Sequence, residues 1–283
     1  GEYKGIGVEI TTNESGTVVM TVFENSPAEE AGIMVGDIIT KVKGVDVNGK
    51  TTSEVSNMIK STNGNVEIEV NRGGITKTLT LKVSTVSIKS VVKNKYDKTG
   101  YLRIETFSNT TYKQFKESLE TLEKDGIENL IVDVRNNGGG FLNSAVEIAE
   151  LFVEKGKPIY GLQTKDKKEM YKDTTKEKRD YKVIVLINGG SASASEVLAA
   201  ALKESYGATL LGTKSYGKGT VQDTSELESG GMIKYTTAYW LTPKGVTINE
   251  KGLTPDIEVT GSFKDGMTLE NDVELQTAIN NLK

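Results

Sequence analysis

The chain has 283 residues, a net charge of −4 and 36% hydrophobic residues, and it contains neither histidine nor cysteine. No basic face with interleaved aromatic residues is apparent, so nucleic acid is not an expected partner. No apolar run approaches the roughly 20 residues of a membrane span. The missing residue types exclude Ser-His-Asp and Cys-His catalysis, zinc sites built from His or Cys, and disulfides. A serine nucleophile would need another base, such as a desolvated lysine. We expect neither a metal nor a cofactor.

The length suggests about two domains, and we place them at residues 1–84 and 85–283. In the first domain, short strands such as VVMTVF and VEIEVNR alternate with turns and two short helices. Residues 84–100 are expected to form a connector. Strand and helix patterns then alternate from YLRIETF onward, which predicts an α/β core with right-handed crossovers. The charged segment 165–182 is expected to be a solvated loop or an exposed hairpin.

The segment GGSASASE joins a predicted strand, KVIVLIN, to a predicted helix, EVLAAAL. A serine at such a turn lies beside free backbone N–H groups and the positive end of a helix, and both favour an oxyanion. This arrangement makes Ser193 a candidate nucleophile, as in other strand–turn–helix hydrolases. The alternative is a helix N-cap, because Ser193 and Glu196 have the S-x-x-E spacing of a capping box. This motif alone leaves both interpretations open.

The segment YGKGTVQ places Lys218 between two glycines. A lysine that acts as a base near neutral pH needs its pKa lowered from ~10.4 to about 7–8, and burial in an apolar site can do this. Gln222 follows four residues later, and its neutral amide could orient the amine without stabilising the ammonium. The two side chains face each other if the segment is helical and are too far apart if it is extended.

The segment DVRNNGGG lies between a buried strand and a helix, where glycines expose backbone N–H groups that can bind an anion. A phosphate loop is the rival interpretation, but neither the Walker spacing nor G-x-G-x-x-G is present. A tight strand–helix turn without function also fits. SYGK and KTG match penicillin-binding motifs only by chance, because their order in the chain is reversed and S-D-N is missing.

The first domain carries its own candidate site in YKGIGVEI, where Gly5 and Gly7 flank Ile6 just before a strand that starts near Val8. Such a loop can present N–H groups to the C-terminal carboxylate of a peptide that adds to the sheet as an extra strand. A simple turn at the start of the strand explains the same pattern.

Two regions of the chain together resemble a known family. Residues 4–84 resemble a bacterial PDZ domain. The rest resembles the carboxy-terminal processing proteases, which are tail-specific Ser–Lys endopeptidases, and most resembles their Gram-positive branch, including the sporulation-type member of bacilli. The segments that carry the second resemblance occur in the family's order: YLRIETF, LIVDVRNNGGG, NGGSASASEVLAAAL, GTKSYGKGTVQ, YWLTPKG and GLTPDIEV.

The resemblance implies a PDZ domain followed by a crotonase-like α/β protease core. It implies Ser193 as nucleophile, Lys218 as base and Gln222 as the partner that orients the lysine. The implied oxyanion donors are the backbone N–H groups of Ala194 and of either Gly138 or Gly139. The loop Gly5–Val8, comprising Gly5, Ile6, Gly7 and Val8, would bind the free, apolar C-terminus of a protein or peptide substrate and regulate cleavage.

The family also implies an extracytoplasmic location, a targeting segment and a homodimeric full-length protein. From this comparison we expect the chain to be a PDZ-plus-protease fragment without the targeting and dimerisation regions. Two other functions stay open at this stage. One is a PDZ peptide-binding scaffold with a latent protease core. The other is an acyl-CoA enzyme on the same fold, which lacks support because no basic cluster for CoA phosphates is apparent.

Overall fold

The computed structural model describes residues 2–226, 231–261, 263–264 and 266–283. The chain forms two compact units, Gly1–Ile88 and Lys89–Lys283. This division falls four residues after the boundary expected from the sequence. Within the described residues, no helix combines the length and the apolar character needed to cross a membrane.

The first unit is a seven-stranded sheet with two short helices. Its strands are β1 Glu2–Gly5, β2 Val8–Asn13, β3 Gly16–Val22, β4 Ile38–Val42, β5 Val45–Asp46, β6 Gly64–Arg72 and β7 Ile75–Ser87. The sheet order is β1-β7-β6-β4-β3-β2, with β5 paired to β4. Along β6 the side chains of Val66, Ile68 and Val70 are buried, and this period of two directs one face of the strand to the core.

Both helices of this unit begin at residues that the sequence marks as caps. Helix α1, Pro27–Glu30, has Ser26 as its N-cap, and the Ser26 side chain accepts a hydrogen bond from the Glu29 amide. Helix α2, Thr52–Lys60, begins with a complete capping box between Thr51 and Glu54. These local signals explain why the two helices start where they do.

The second unit contains two sheets. Its strands are β8 Val91–Tyr96, β9 Thr99–Ile104, β10 Asn129–Asp133, β11 Pro158–Gln163, β12 Lys168–Lys172, β13 Lys182–Ile187, β14 Thr209–Gly212, β15 Thr220–Glu226, β16 Met232–Leu241 and β17 Ile257–Glu258. Its helices are α3 Thr111–Lys124, α4 Leu142–Glu150, α5 Ala194–Ala201 and α6 Val273–Leu282. A π-helical turn, Leu202–Tyr206, continues α5, and a 3₁₀ turn, Leu269–Asn271, precedes α6.

The six-stranded sheet has the order β17-β14-β13-β10-β9-β8 and is parallel except for the β8–β9 pair. Alternate residues of β10 face opposite sides of it. Leu130 and Val132 pack in the cluster that includes residues of α3, α4 and α5, whereas Ile131 packs in the cluster that includes residues of α6. The sheet is therefore buried on both faces, as its nearly continuous apolar strands predict. The expected order, a β-rich domain followed by an α/β core, is confirmed.

The structure corrects the sequence-based expectation for residues 84–100. Residues 84–100 do not form a simple connector, because β7 extends to Ser87 and β8 forms a hairpin with β9 around Asp97, which has a φ of 53°. The segment VVKNKY has few apolar residues after its first two, so its strand character comes from pairing with β9 and not from its own pattern. In the charged segment 165–182, β12 pairs antiparallel with β11 as an exposed hairpin, one of the two forms expected.

Candidate active site

Ser193 lies in a strained turn directly before helix α5. Its backbone has φ 56° and ψ −118°, a region that residues with a Cβ rarely occupy. The amide of Ser195 donates to the carbonyl oxygen of Ala192 at 3.2 Å and closes the turn. These angles correspond to the second position of a type II′ turn, where glycine is usual. The strain is of the kind found where a nucleophile is presented from a sharp strand-to-helix turn.

The three serines of the SASAS run have different environments. Ser191 and Ser195 are fully buried, and their hydroxyls donate to the carbonyl oxygens of Val134 (2.7 Å) and Asn137 (2.8 Å). Ser193 is only half-buried, and it lines a cavity. Of the three hydroxyls, that of Ser193 is therefore the one accessible to a substrate.

The cavity beside Ser193 has a volume of about 280 Å³. Its lining combines Ser193 and Lys218 with mainly apolar neighbours from α4, α5, β15 and β16, which are Leu142, Val197, Thr220, Val221, Gln222 and Trp240. The structure thus brings the candidate nucleophile and the candidate base to one pocket, although 24 positions of the printed sequence separate them.

The backbone around Lys218 is fixed by close packing. Gly217 has a φ of +90°, and a Cβ on it would lie 2.7 Å from the backbone nitrogen of Gly252. A Cβ on Gly219 would lie 2.7 Å from Asn249. The indole Nε1 of Trp240 donates to the Lys218 carbonyl oxygen at 2.7 Å. The two glycines therefore let this loop pass close to the segment that contains Asn249 and Gly252.

The Lys218 side chain is exposed, whereas the sequence argument required a desolvated lysine. The reason is that buried residues bind the backbone of Lys218 and not its side chain. The Lys218 amide donates to Glu196, and its carbonyl oxygen accepts from Trp240. Gln222 is also exposed and lies on the extended strand β15. Both residues line the cavity, but within the part of the chain that the structure describes no hydrogen bond joins them. The helical arrangement considered for this segment does not occur.

The glycine turn packs directly against the Ser193 turn, and Asn137 connects them. The Asn137 carbonyl oxygen accepts from the Ala192 amide (3.0 Å) and from the Ser195 hydroxyl. Its side-chain oxygen accepts from the Gly139 amide at 2.9 Å. A Cβ on Gly139 would lie 2.8 Å from the Cβ of Ser193, so this position requires a glycine.

The candidate oxyanion donors differ in their hydrogen bonding. The Gly139 N–H is used by Asn137, as described above. The N–H groups of Gly138 and Ala194 have no acceptor among the described residues. Gly138 is also exposed, whereas Gly139 is buried. The unpaired donors at this site are therefore those of Gly138 and Ala194.

Three residues that shape the site were not identified from the sequence as part of it. Asn137 lies in the NNGGG segment, and Trp240 is the only tryptophan of the chain, but neither position indicates a role by itself. The sequence indicates Glu196 only as the possible partner of Ser193 in a capping box. It is completely buried, and its Oε2 accepts from the Ser193 amide at 3.0 Å, as a capping box requires.

The candidate peptide-binding loop of the first unit connects β1 to β2. Ile6 is buried, and its carbonyl oxygen accepts from the Ala28 amide at 2.8 Å. Gly7 has a φ of +87°, and a Cβ there would lie 2.1 Å from the Cβ of Ser26, so only glycine fits. A Cβ on Gly5 would lie 2.6 Å from the Tyr3 ring. This loop is thus closely packed, with its Ile6 carbonyl turned toward α1.

The Tyr3 ring packs against Gly5 of this loop, and the surroundings of its hydroxyl shift its pKa in opposite directions. Burial and the nearby Glu9 carboxylate raise the pKa of Tyr3, whereas the backbone N–H groups of Gly7 and Val8 lower it. Burial is the largest of these effects, so the pKa of Tyr3 is raised overall.

Comparison with known proteins identifies both units. Residues 5–83 match the PDZ domain, and residues 98–259 match Peptidase family S41. The chain is 38% identical over 263 residues to a probable CtpA-like serine protease of Staphylococcus aureus, and 36% identical to one of Staphylococcus haemolyticus. Each match covers 92% of this chain and 53% of the relative, so the chain spans about half the length of these curated relatives.

A solved structure gives the same result. The photosystem II D1 C-terminal processing protease is 31% identical, with a TM-score of 0.57, over 91% of this chain and 72% of that chain. A putative S41 protease from Bacteroides fragilis shares the fold at 16% identity, with a TM-score of 0.58. The family match includes Ser193, Lys218 and the glycine turn. The chain belongs to Peptidase family S41 and carries a PDZ domain before its protease domain.

Proposed function

We propose that the chain is a serine endopeptidase of the carboxy-terminal processing type that uses a Ser–Lys pair. The observation that carries the proposal is that Ser193, which lies in a strained turn, and Lys218 line the same cavity. The hydroxyl of Ser193 attacks the peptide carbonyl, and Lys218 accepts its proton and later protonates the leaving amine. Water then hydrolyses the acyl-enzyme. Gln222, on the wall of the same cavity, orients the lysine amine once substrate is bound.

The negative charge that develops on the carbonyl oxygen needs hydrogen-bond donors that are already in place. The unpaired N–H groups of Ala194 and Gly138 are suited to this role. Gly139 contributes by its lack of a side chain, which lets the glycine turn approach Ser193. Of the two glycines considered from the sequence, we therefore assign the donor role to Gly138.

The exposure of Lys218 has a consequence for activation. Its amine lies at the wall of the cavity, and a substrate that fills the cavity would cover it and exclude water from it. The described state is therefore suited to become active on substrate binding. The same exposure is the observation that favours the second candidate, a PDZ peptide-binding scaffold whose protease core stays latent.

The substrate class follows from the PDZ domain. Its Gly5–Val8 loop would bind the free C-terminus of a protein with an apolar tail, and the peptide would extend the sheet as a further strand. The support for this assignment is the PDZ match and the glycine geometry of the loop. The resemblance to the carboxy-terminal processing proteases supports three further parts of the proposal: an extracytoplasmic location, a homodimeric full-length protein and a role in regulated processing such as sporulation.

The test is a degradation time course with an unstructured protein that ends in an apolar tail. We expect the wild-type chain to cleave it and the variants Ser193→Ala and Lys218→Ala to be inactive while folded. Lys214→Ala is the matched control, because Lys214 is an exposed lysine four residues before Lys218. Activity in Lys218→Ala would refute the Ser–Lys mechanism. Binding of a C-terminal peptide by wild type without any turnover would favour the scaffold.

A further inference from the structure

We propose that Glu196 is a positioning residue that aligns the Ser193 turn with the Lys218 loop. This inference rests on the proposed function, because alignment matters only if these two residues react together. Glu196 would not touch the substrate. It would act by holding two backbone segments, distant in sequence, against one carboxylate group.

The hydrogen bonds of the Glu196 carboxylate connect the two segments directly. Its Oε2 accepts from the amides of Ser193 and Lys218, both at 3.0 Å. Its Oε1 accepts from the Gly217 amide at 2.7 Å and from the Ser215 hydroxyl at 2.5 Å. One oxygen atom therefore binds the backbone of the candidate nucleophile and of the candidate base at the same time.

This arrangement exceeds what a helix cap requires. A capping box uses the carboxylate for one bond, to the amide of the N-cap residue. Three of the four bonds of Glu196 instead go to residues 215–218. A fully buried carboxylate is costly unless its oxygens are satisfied, and here four donors satisfy it. These bonds indicate that Glu196 joins two loops and does not only cap helix α5.

Glutamine cannot replace Glu196 in this position. Each carboxylate oxygen accepts two hydrogen bonds, and each pair of donors includes at least one backbone N–H. An amide has one oxygen, and its NH₂ group would face a backbone N–H in place of an acceptor. The variant Glu196→Gln therefore keeps the shape of the side chain but must release either Gly217 or the pair Ser193 and Lys218.

Other contacts keep the Lys218 loop folded without Glu196. The Tyr216 amide donates to the Ser191 carbonyl at 3.0 Å, and the Leu253 amide donates to the Ser215 hydroxyl at 2.6 Å. The Trp240 indole binds the Lys218 carbonyl. Loss of the carboxylate should therefore shift the loop relative to Ser193 and leave it folded. A displacement of about 1 Å at reacting groups can reduce the rate roughly 100-fold.

The kinetic test compares wild type with Glu196→Gln on the same tailed substrate. We expect kcat to fall about 10- to 100-fold, whereas KM stays within about threefold because the variant does not change the cavity lining. The matched control is Asp173→Asn, which removes another buried carboxylate that accepts a backbone amide, that of Thr175, and does not line the cavity. A kcat for Glu196→Gln equal to that of wild type, or to that of Asp173→Asn, would refute the inference.

A second measurement does not depend on activity. The Lys218 amide donates a hydrogen bond to Glu196, and this bond protects the amide from hydrogen exchange. In Glu196→Gln we expect faster exchange at Ser193 and Lys218, or at Gly217, with no change at Tyr216. Unchanged exchange at all three amides, or a uniform increase that includes Tyr216, would refute the positioning role. If the wild-type chain cleaves nothing, the proposed function fails, and the exchange pattern still decides whether Glu196 joins the loops.

Discussion

The indole of Trp240 donates a hydrogen bond from Nε1 to the backbone carbonyl of Lys218, at 2.7 Å. Trp240 is nearly fully buried on β16, and its ring also lines the cavity that contains Ser193. A rigid side chain from the second sheet thus fixes the loop of the candidate base. Together with Glu196, it bonds both backbone polar groups of Lys218, so only the side chain of the lysine is free to move.

The variant Trp240→Phe tests this contact. Phenylalanine keeps an aromatic ring in the cavity wall but leaves the Lys218 carbonyl without its donor. We expect kcat to fall about 2- to 13-fold, which corresponds to the roughly 0.5–1.5 kcal/mol of one neutral hydrogen bond. The measurement is steady-state cleavage with circular dichroism to confirm folding. A kcat equal to that of wild type would show that the bond does not position the lysine.

Strain at Ser193 predicts an unusual order of stabilities. A residue with a Cβ at φ 56° and ψ −118° costs about 1–3 kcal/mol, and glycine has no such penalty there. We expect Ser193→Gly to be more stable than Ser193→Ala by about 1 kcal/mol, after the greater backbone entropy of unfolded glycine is subtracted.

Both Ser193 variants should be inactive, so the comparison concerns stability alone. The free energy of unfolding of the protease unit can be followed in urea through the fluorescence of Trp240, the only tryptophan of the chain. A less stable glycine variant would show that the surrounding turn does not strain this position.

The glycine turn offers a matched pair of substitutions. A Cβ on Gly139 would lie 2.8 Å from the Ala192 carbonyl oxygen, at a φ of +101°, whereas a Cβ on Gly138 would meet no atom within 4 Å. Gly139→Ala should therefore displace the Ser193 turn and reduce kcat at least 100-fold. Gly138→Ala should fold normally and retain most activity, because it keeps its backbone N–H.

Cleavage rates and melting temperatures of both glycine variants are the measurements. Equal loss of activity in the two would indicate that the space above Gly138 is occupied by substrate. Replacement of the backbone amide of Gly138 by an ester, which removes the N–H, would then test its donor role directly.

The sequence predicted the parts of this site that depend on local chain geometry. Glycines occur around Lys218 and before Phe141, and a serine-rich turn joins a strand to a helix. Few local structures other than tight turns explain these patterns. The pairing of Ser193 with Lys218 followed from the missing histidine and from family resemblance. The clustering of Ser193, Lys218 and the glycine turn then agrees with the parallel order of β10, β13 and β14, because the carboxyl ends of neighbouring parallel strands meet at one edge.

The remaining features depend on contacts between distant segments. Glu196 has the spacing of a local cap, and only the packed structure shows that three of its bonds go to residues 215–218. The exposure of Lys218 has the same origin, since the direction of its side chain is set by backbone bonds to Glu196 and Trp240. The sequence does not indicate strand β8, because its pairing with β9, and not its own residue pattern, makes it a strand.

An ion pair in the PDZ unit predicts how stability depends on pH. Asp37 is buried, and Arg72 donates to both of its carboxylate oxygens at 2.7 Å. The hydrogen bonds from Arg72 are the main cause of a lowered pKa of Asp37, and burial acts in the opposite direction. The Asp37 carboxylate therefore binds a proton less readily in the folded protein than in the unfolded chain, where the pKa of an aspartate is ~3.9.

The contribution of this pair should be fully present above the pKa of the unfolded chain and should disappear as the pH falls through the lower, folded value. We expect Asp37→Asn to destabilise the PDZ unit by about 2–3 kcal/mol at pH 7, since it leaves Arg72 without its charged partner. At pH 2 the difference from wild type should be much smaller. Hydrogen exchange of the β6 amides in the full chain reports on this unit. A difference between the two proteins that stays constant from pH 7 to pH 2 would exclude Asp37 as the titrating group.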